Sequence, residues 1–311
     1  MTDVPSNLSA QEPASPEATA ERPSIEPEVL RFDASDSASL HYRHWVPERG
    51  KPRGYIVALH GVQSHSGWYA YSSRKLCEAG YEVFYFDRRG SGLNMETRGD
   101  AQHCDRLIND VVQFLQFVRH RRNQSAPTRP VVLQAVSWSG KLAAVIAARR
   151  PELVDALALL SPGIHAKTRP SLWQRCQLEL ANRCGIRERR VPIPLNDPTL
   201  FTDSVASQQF IREDPLALHE VTVSFLLADR ELSRLSRNAP ARLRVPLLLM
   251  LADQDEIIDN PATAAWFERC KSTRKQVNEY ADARHTLEFA ADKDEHVDDL
   301  IDWLGSIEGM V

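Results

Sequence analysis

The chain has 311 residues, 42% of them hydrophobic, and a formal net charge of −4. That length buries a sizeable core, as one α/β domain with an insertion or as two domains, and the mild acidic excess gives no reason to expect a nucleic-acid partner. Five scattered cysteines (Cys77, Cys104, Cys176, Cys184, Cys270) without a Cys-x-x-Cys indicate neither a zinc site nor a disulfide framework, and no apolar run approaches the roughly 18 to 20 residues that span a bilayer.

Residues 1–28 are rich in Pro, Ser, Glu and Ala and nearly devoid of large apolar side chains. Such a segment buries too little surface to offset its ordering entropy and reads as a disordered tail. It lacks the basic start and apolar stretch of a secretory signal, so a cytoplasmic location is expected. Val29-Leu-Arg-Phe32 and Ser39-Leu-His-Tyr-Arg-His-Trp45 read as an antiparallel strand pair. Gly54 to His60 and Gly80 to Phe86 read as central strands, separated by a helical segment from Tyr69 to Ala79. Leu107, Ile108, Val111, Val112, Leu115 and Val118 recur at the spacing of an amphipathic helix. The strand Pro130 to Val136, an Ala-rich helix to Arg150 and the strand Val154 to Leu160 follow. Strands alternating with helices predict a mostly parallel sheet covered on both faces.

Residues 163–242 break that rhythm. Helical patterns such as Leu172 to Cys184 and Leu216 to Leu235 are joined by Pro-rich links like Val191-Pro-Ile-Pro194, with no strand between them. The basic cluster Arg187-Glu-Arg-Arg190 reads as a solvated face. Val245-Pro-Leu-Leu-Leu-Met-Leu251 is an unbroken apolar run, a strand buried on both faces, and Lys275 to Tyr280 is a further short strand. The insertion begins at a strand carboxyl end, where sites in open α/β sheets lie, which favours a substrate-binding cap over an extra layer that only covers the sheet.

Pro130-Val-Val-Leu-Gln-Ala-Val-Ser-Trp-Ser-Gly-Lys141 carries the chemistry. A β-branched run ends in Ala-x-Ser-x-Ser-Gly and a helix starts at once, the layout that exposes a nucleophilic serine on a sharp strand-to-helix turn. Strand and helix nearly touch there, so the residues two before and two after the nucleophile must be small. With Ser137 as nucleophile these are Ala135 and Ser139; with Ser139 they would be Ser137 and Lys141, and a lysine does not fit. Downstream strands end in Ala252-Asp-Gln-Asp-Glu-Ile-Ile-Asp-Asn260 and in Ala281-Asp-Ala-Arg-His-Thr-Leu-Glu-Phe289. They offer an aspartate near 255 and His285, in the order serine, acid, histidine. A serine hydroxyl is a weak nucleophile at neutral pH and needs such a base.

With His60-Gly-Val-Gln-Ser-His-Ser-Gly-Trp-Tyr69 and Asp87-Arg-Arg-Gly-Ser-Gly92, these stretches resemble the α/β-hydrolase superfamily, and within it the monoacylglycerol lipase, lysophospholipase and serine aminopeptidase-like group. The likeness spans residues 30 to 305; where the group has Gly-x-Ser-x-Gly-Gly, this chain has Ala-Val-Ser-Trp-Ser-Gly. The resemblance implies an α/β-hydrolase fold whose core, residues 29–162 and 243–311, carries a helical lid, residues 163–242. It also implies an acid at Asp255, with Asp253 and Asp259 as rivals, and oxyanion donors at the N–H groups of Trp138 and Val62. Asp87, Arg89 and Gly90 are expected to hold a turn and His60 to fix its loop, while His65, Trp68 and Tyr69 either line the pocket mouth or pack at the surface. The implied activity is hydrolysis of a carboxylic ester, monoacylglycerol- or lysophospholipid-like, through an acyl-enzyme, with no cofactor or metal. A small ester or lipid-like substrate is the expected partner, its acyl chain against cap residues Leu172, Trp173, Phe225 and Leu226, unless these four form the cap's own core. The same triad serves an amide hydrolase, an acyltransferase or a perhydrolase, and some proteins of this fold only bind ligands.

Overall fold

The apolar runs of the sequence become the strands of one sheet. The computed structural model describes residues 25–48, 50–167 and 171–309. Strands β1 (Glu28–Asp33) and β2 (Ser39–Trp45) pair antiparallel. Then come β3 (Tyr55–Leu59), α1 (Ala70–Glu78), β4 (Glu82–Phe86), α2 (Cys104–Ser125), β5 (Val131–Val136), α3 (Ser139–Arg149) and β6 (Ala156–Leu160). The inserted segment carries α4 (Leu172–Arg183), β7 (Arg190–Pro192), α5 (Val205–Glu213), β8 (Glu220–Thr222) and α6 (Val223–Arg237). The chain returns with β9 (Leu247–Ala252), α7 (Asn260–Glu268), β10 (Lys275–Tyr280) and α8 (Lys293–Ile307). The eight-stranded sheet has the order β1-β2-β4-β3-β5-β6-β9-β10. It is parallel from β4 to β10, with β2 joining β4 antiparallel.

Every residue of β3, β4, β5, β6 and β9 is buried, because helices cover both faces of these strands. Successive side chains alternate between the two faces. Val57 and Leu59 join a core with Leu107, Phe114, Leu142 and Ile146 of α2 and α3, while Ile56 and Ala58 join one with Leu76, Leu300 and Leu304 of α1 and α8. This is the α/β-hydrolase fold. Among the described residues no helix is long and apolar enough to cross a membrane.

Three expectations need correction. The expected tail, residues 1–28, lies outside the described residues up to position 24, but its last residues belong to the fold: Ile25 packs on the second core and Glu28 opens β1. The insertion is not purely helical, since β7 and β8 form an antiparallel ribbon. Strands of three residues are too short for alternation to reveal them. For the same reason the helical pattern read from Leu216 starts too early; α6 begins only after Thr222, whose side chain accepts the Phe225 N–H at 3.1 Å as an N-cap.

The turn after β4 is tied by charge. Asp87 accepts the main-chain N–H groups of Ser66 at 2.7 Å and Leu93 at 3.0 Å. Gly92 sits at φ +54°, and a Cβ there would come within 2.4 Å of the Asp87 carboxylate. Arg89 grips the buried Asp110 of α2 with two hydrogen bonds of 2.8 Å. Removing one partner of a buried pair strands the other charge, whereas replacing both with apolar groups often restores stability. Arg89→Met is therefore expected to cost about 3–5 kcal/mol in urea unfolding, and Arg89→Met combined with Asp110→Leu to regain most of it. A double variant no more stable than the single one would show that the pair does not govern this turn.

Candidate active site

Ser137 stands between β5 and α3 with φ +53°, a left-handed conformation that L-residues avoid. Its N–H donates to the Leu160 carbonyl at 2.9 Å, and its own carbonyl accepts from Gly140 at 2.9 Å and Gly163 at 2.6 Å. The crowding that the sequence pattern demands is visible atom by atom. A Cβ on Gly140 would lie 2.5 Å from the Pro162 side chain, and one on Gly61 would lie 3.3 Å from Ser137 Cβ. Ala135 and Ser139 are both buried. Ser139 fills the position usual for glycine because its hydroxyl donates to the His60 carbonyl at 2.5 Å, so the extra polar group is satisfied.

The carboxyl ends of β9 and β10 bring two more groups to this point. His285, 2% exposed, has Nε2 at 2.8 Å from Ser137 Oγ and Nδ1 at 2.7 Å from Asp255 Oδ2. A carboxylate at Nδ1 holds the proton there, which leaves Nε2 as an acceptor facing the serine hydroxyl. The other oxygen of Asp255 accepts the N–H groups of Ile257 at 2.8 Å and Ile258 at 2.9 Å, so the buried carboxylate is fully engaged. The two rival aspartates are elsewhere: Asp253 is exposed, and Asp259 caps α7 by accepting the Ala262 N–H at 3.0 Å.

The loop after β3 forms the facing wall. His60 accepts the Arg88 N–H at Nε2 (3.0 Å), so its proton sits on Nδ1 and donates to the Gly61 carbonyl (2.8 Å). Burial pushes this imidazole well below its ordinary value and keeps it neutral. The peptide joining Gly61 to Val62 is thus polarised at its oxygen, while the N–H groups of Val62 and Trp138 have no hydrogen-bond partner among the described residues. A crevice of about 10 Å³, room for a single water, lies over Ser137 and is lined by Val62, Trp68, Tyr69, Leu195, Phe201 and His285.

A profile of the serine aminopeptidase S33 family matches residues 50–292. The chain belongs to this family. Two curated relatives are a monoglyceride lipase of Rattus norvegicus, 26% identical over 81% of this chain and 82% of that one, and a monoacylglycerol lipase of Mycolicibacterium smegmatis, 25% identical over 88% and 96%. A solved monoglyceride lipase of Saccharomyces cerevisiae superposes with a TM-score of 0.78 at 19% identity, covering 96% of this chain and 99% of that one.

For this S33-family chain the insertion contributes different residues to the site than the sequence implies. Trp173 is 71% and Leu172 78% exposed on α4, away from the crevice. Phe225 is buried, but its ring stacks on Trp138 with centroids 5.3 Å apart, and Leu226 packs on the core. An amphipathic pattern identifies an apolar face without saying what covers it, and among the described residues Leu172 and Trp173 are left largely exposed. Leu195 and Phe201 face Ser137 instead, from a Pro-rich stretch with no periodicity to mark them. Trp68 and Tyr69 line the crevice, whereas His65 anchors it from behind. Asp214, just after α5, accepts from Trp68 Nε1 at 2.5 Å and pairs with His65 Nε2 at 2.9 Å.

Three residues after His285, Glu288 is buried and accepts the Ser72 N–H at 3.0 Å. Burial raises its carboxyl from the ordinary 4.5 to about 7. Between those values the folded protein keeps a proton that the unfolded chain has released, so stability falls as pH rises through this window. Glu288→Gln retains an acceptor for Ser72 and cannot ionise. It should match the parent in unfolding free energy at pH 4 and exceed it by about 3 kcal/mol at pH 8. A pH-independent difference between the two proteins would mean that the ionised carboxylate is the native form.

Proposed function

We propose that the chain hydrolyses carboxylic esters with a single acyl chain, of the monoacylglycerol or lysophospholipid kind, through a Ser137 acyl-enzyme. The observation that carries this reading is the continuous relay from Ser137 Oγ to His285 at 2.8 Å and from His285 to Asp255 at 2.7 Å. Ser137 Oγ attacks the ester carbonyl carbon as His285 Nε2 takes its proton, and Asp255 holds the imidazole and stabilises its cation. The carbonyl oxygen becomes an oxyanion held by the N–H groups of Val62 and Trp138. Collapse expels the alcohol, which receives the proton from His285; a water then repeats the sequence on the acyl-serine and releases the acid. The carbonyls paired with these two donors already accept hydrogen bonds, from His60 at Gly61 and from Gly140 and Gly163 at Ser137, which strengthens the N–H groups as donors.

An ester is favoured over the amide of a peptide amino terminus. An aminopeptidase holds its substrate's ammonium group with a carboxylate, and among the described residues none of the side chains lining the crevice carries one. The named lipase relatives support the same choice of substrate. The inserted segment serves as a lid whose Leu195 and Phe201 meet the acyl chain.

Fluorophosphonate labelling tests the nucleophile. Ser137→Ala is expected to abolish it, and Ser139→Ala to retain it at the same modified residue; an adduct mapped to Ser139 would reverse the assignment.

Hydrolysis of dissolved esters of increasing chain length tests the lid. Each buried methylene contributes about 0.8 kcal/mol, so Leu195→Asn should lower kcat/KM for a dodecanoyl ester about tenfold relative to an acetyl ester. Trp173→Gln should leave that ratio unchanged. The opposite ranking would return the acyl contact to α4.

A further inference from the structure

Arg88 is 5% exposed and forms no ion pair within 4.0 Å among the described residues. Its Nη2 donates to the Val62 carbonyl at 3.0 Å, while Nε and Nη1 are buried without a partner among the described residues. The guanidinium lies 4.9 Å from the Trp138 ring centroid and 5.0 Å from that of Phe225. The nearby carboxylates are already engaged. Asp87 holds Ser66 and Leu93, and Asp229 of α6 accepts from Trp138 Nε1 at 2.7 Å and from Lys141. Burial lowers the guanidinium to about 9, which still leaves it charged at neutral pH.

A buried cation without a bonded counter-ion is costly, and proteins rarely keep one. This one touches both residues whose N–H groups are assigned to the oxyanion, Val62 through its carbonyl and Trp138 through its ring. Its main-chain N–H also fixes the His60 ring that polarises the Gly61 carbonyl. We propose that Arg88 is a positioning residue whose counter-charge forms only during the reaction, as the oxyanion held by Val62 and Trp138. It sets the spacing of the two donors and places a fixed positive charge behind them. The interaction is stronger in the transition state than with the neutral ester, so it acts on turnover and not on substrate binding.

The inference rests on the acyl-enzyme reading, and the test separates the two. Arg88→Met keeps an apolar stem against Trp138 and Phe225 but removes the charge; Arg88→Lys keeps the charge and loses the planar fork. Each full-length variant is compared with the parent for kcat and KM on p-nitrophenyl butyrate, inhibition by an alkylboronic acid, which adds to serine as a tetrahedral anion, and thermal stability. Arg88→Met should lower kcat about ten- to a hundredfold, leave KM within about twofold, and weaken the boronate by the same factor as kcat. Its Tm should be unchanged or higher, since an unpaired buried charge has been removed. Arg88→Lys should recover part of both losses. If Arg88→Met does not fold, Arg88→Lys must still show parallel, smaller losses in kcat and boronate affinity with KM preserved. Turnover within about twofold of the parent, or activity lost only in proportion to Tm with boronate affinity intact, would overturn the proposal for Arg88 alone. A parent protein whose Ser137 is not labelled by a fluorophosphonate would remove the acyl-enzyme reading and this inference with it.

Discussion

Ser137 holds a backbone conformation that costs an L-residue about 1–2 kcal/mol, and its surroundings are what keep it there. Main-chain hydrogen bonds from both sides fix its peptide groups: its N–H to Leu160, its carbonyl from Gly140 and Gly163. These bonds join the carboxyl end of β5 to that of β6, so the serine cannot relax without separating two central strands from the first turn of α3. The close approach of Gly140 to Pro162 and of Gly61 to Ser137 is the steric side of the same constraint. The bonds that enforce the strained serine also polarise the peptide whose N–H belongs to Trp138. Strain at a functional residue persists only when the structure around it is over-determined, and here the over-determination supplies one wall of the proposed oxyanion cradle.

This constraint explains what was legible in the sequence. A turn that admits only small residues leaves a pattern, and Ala135, Ser139 and Gly140 carry it even where serine replaces glycine. The order of Ser137, Asp255 and His285 was readable because each follows a strand whose apolar run announces itself. The choice of Asp255 over Asp253 and Asp259 came from the resemblance, not the residue types; its physical basis is the pair of N–H groups from Ile257 and Ile258, which no composition reveals. The inserted segment was legible as an interruption and illegible in detail. Apolar residues at helical spacing on α4 look alike whether covered or bare, and Leu195 and Phe201 lie on irregular backbone that carries no period. The ribbon of β7 and β8 was missed because three residues make no pattern.

Buried charge is distributed unevenly around this frame. Away from the crevice, Arg89 pairs with Asp110 and Glu82 with Arg121, while Arg122 of α2 is buried with no ion pair among the described residues. Next to the crevice, beside the Asp255–His285 and Asp214–His65 pairs, burial holds His60 neutral and lifts Glu288 toward neutrality. Among the described residues Arg88 has no bonded counter-ion. Matched pairs fix the strand-end turns at little electrostatic consequence for a substrate, since their fields largely cancel. Unmatched groups project a field into a poorly solvated space, where it acts at full strength on whatever charge develops.

Access to Ser137 is coupled to the same contacts. A crevice of about 10 Å³ cannot admit an acyl chain beside His285, so any ester that reaches the serine displaces part of the wall formed by Leu195 and Phe201. That wall is not independent of the reacting groups. The Phe201 carbonyl accepts the N–H of Thr286, the neighbour of His285, at 3.1 Å, and the Thr202 hydroxyl donates to the Phe289 carbonyl at 2.8 Å. On the other side, Asp214 holds Trp68 and His65, and the Leu218 N–H donates to the Gln63 carbonyl at 2.8 Å, beside Val62. The insertion is therefore fastened, among other places, both to the histidine loop and to the loop carrying Val62. Side chains of the wall can rotate while both fastenings hold, but moving the backbone of the insertion as a body breaks hydrogen bonds adjacent to His285 or Val62. Entry by side-chain displacement leaves the Ser137–His285–Asp255 hydrogen bonds intact, whereas entry by rigid opening disturbs the groups that the proposed attack needs in place.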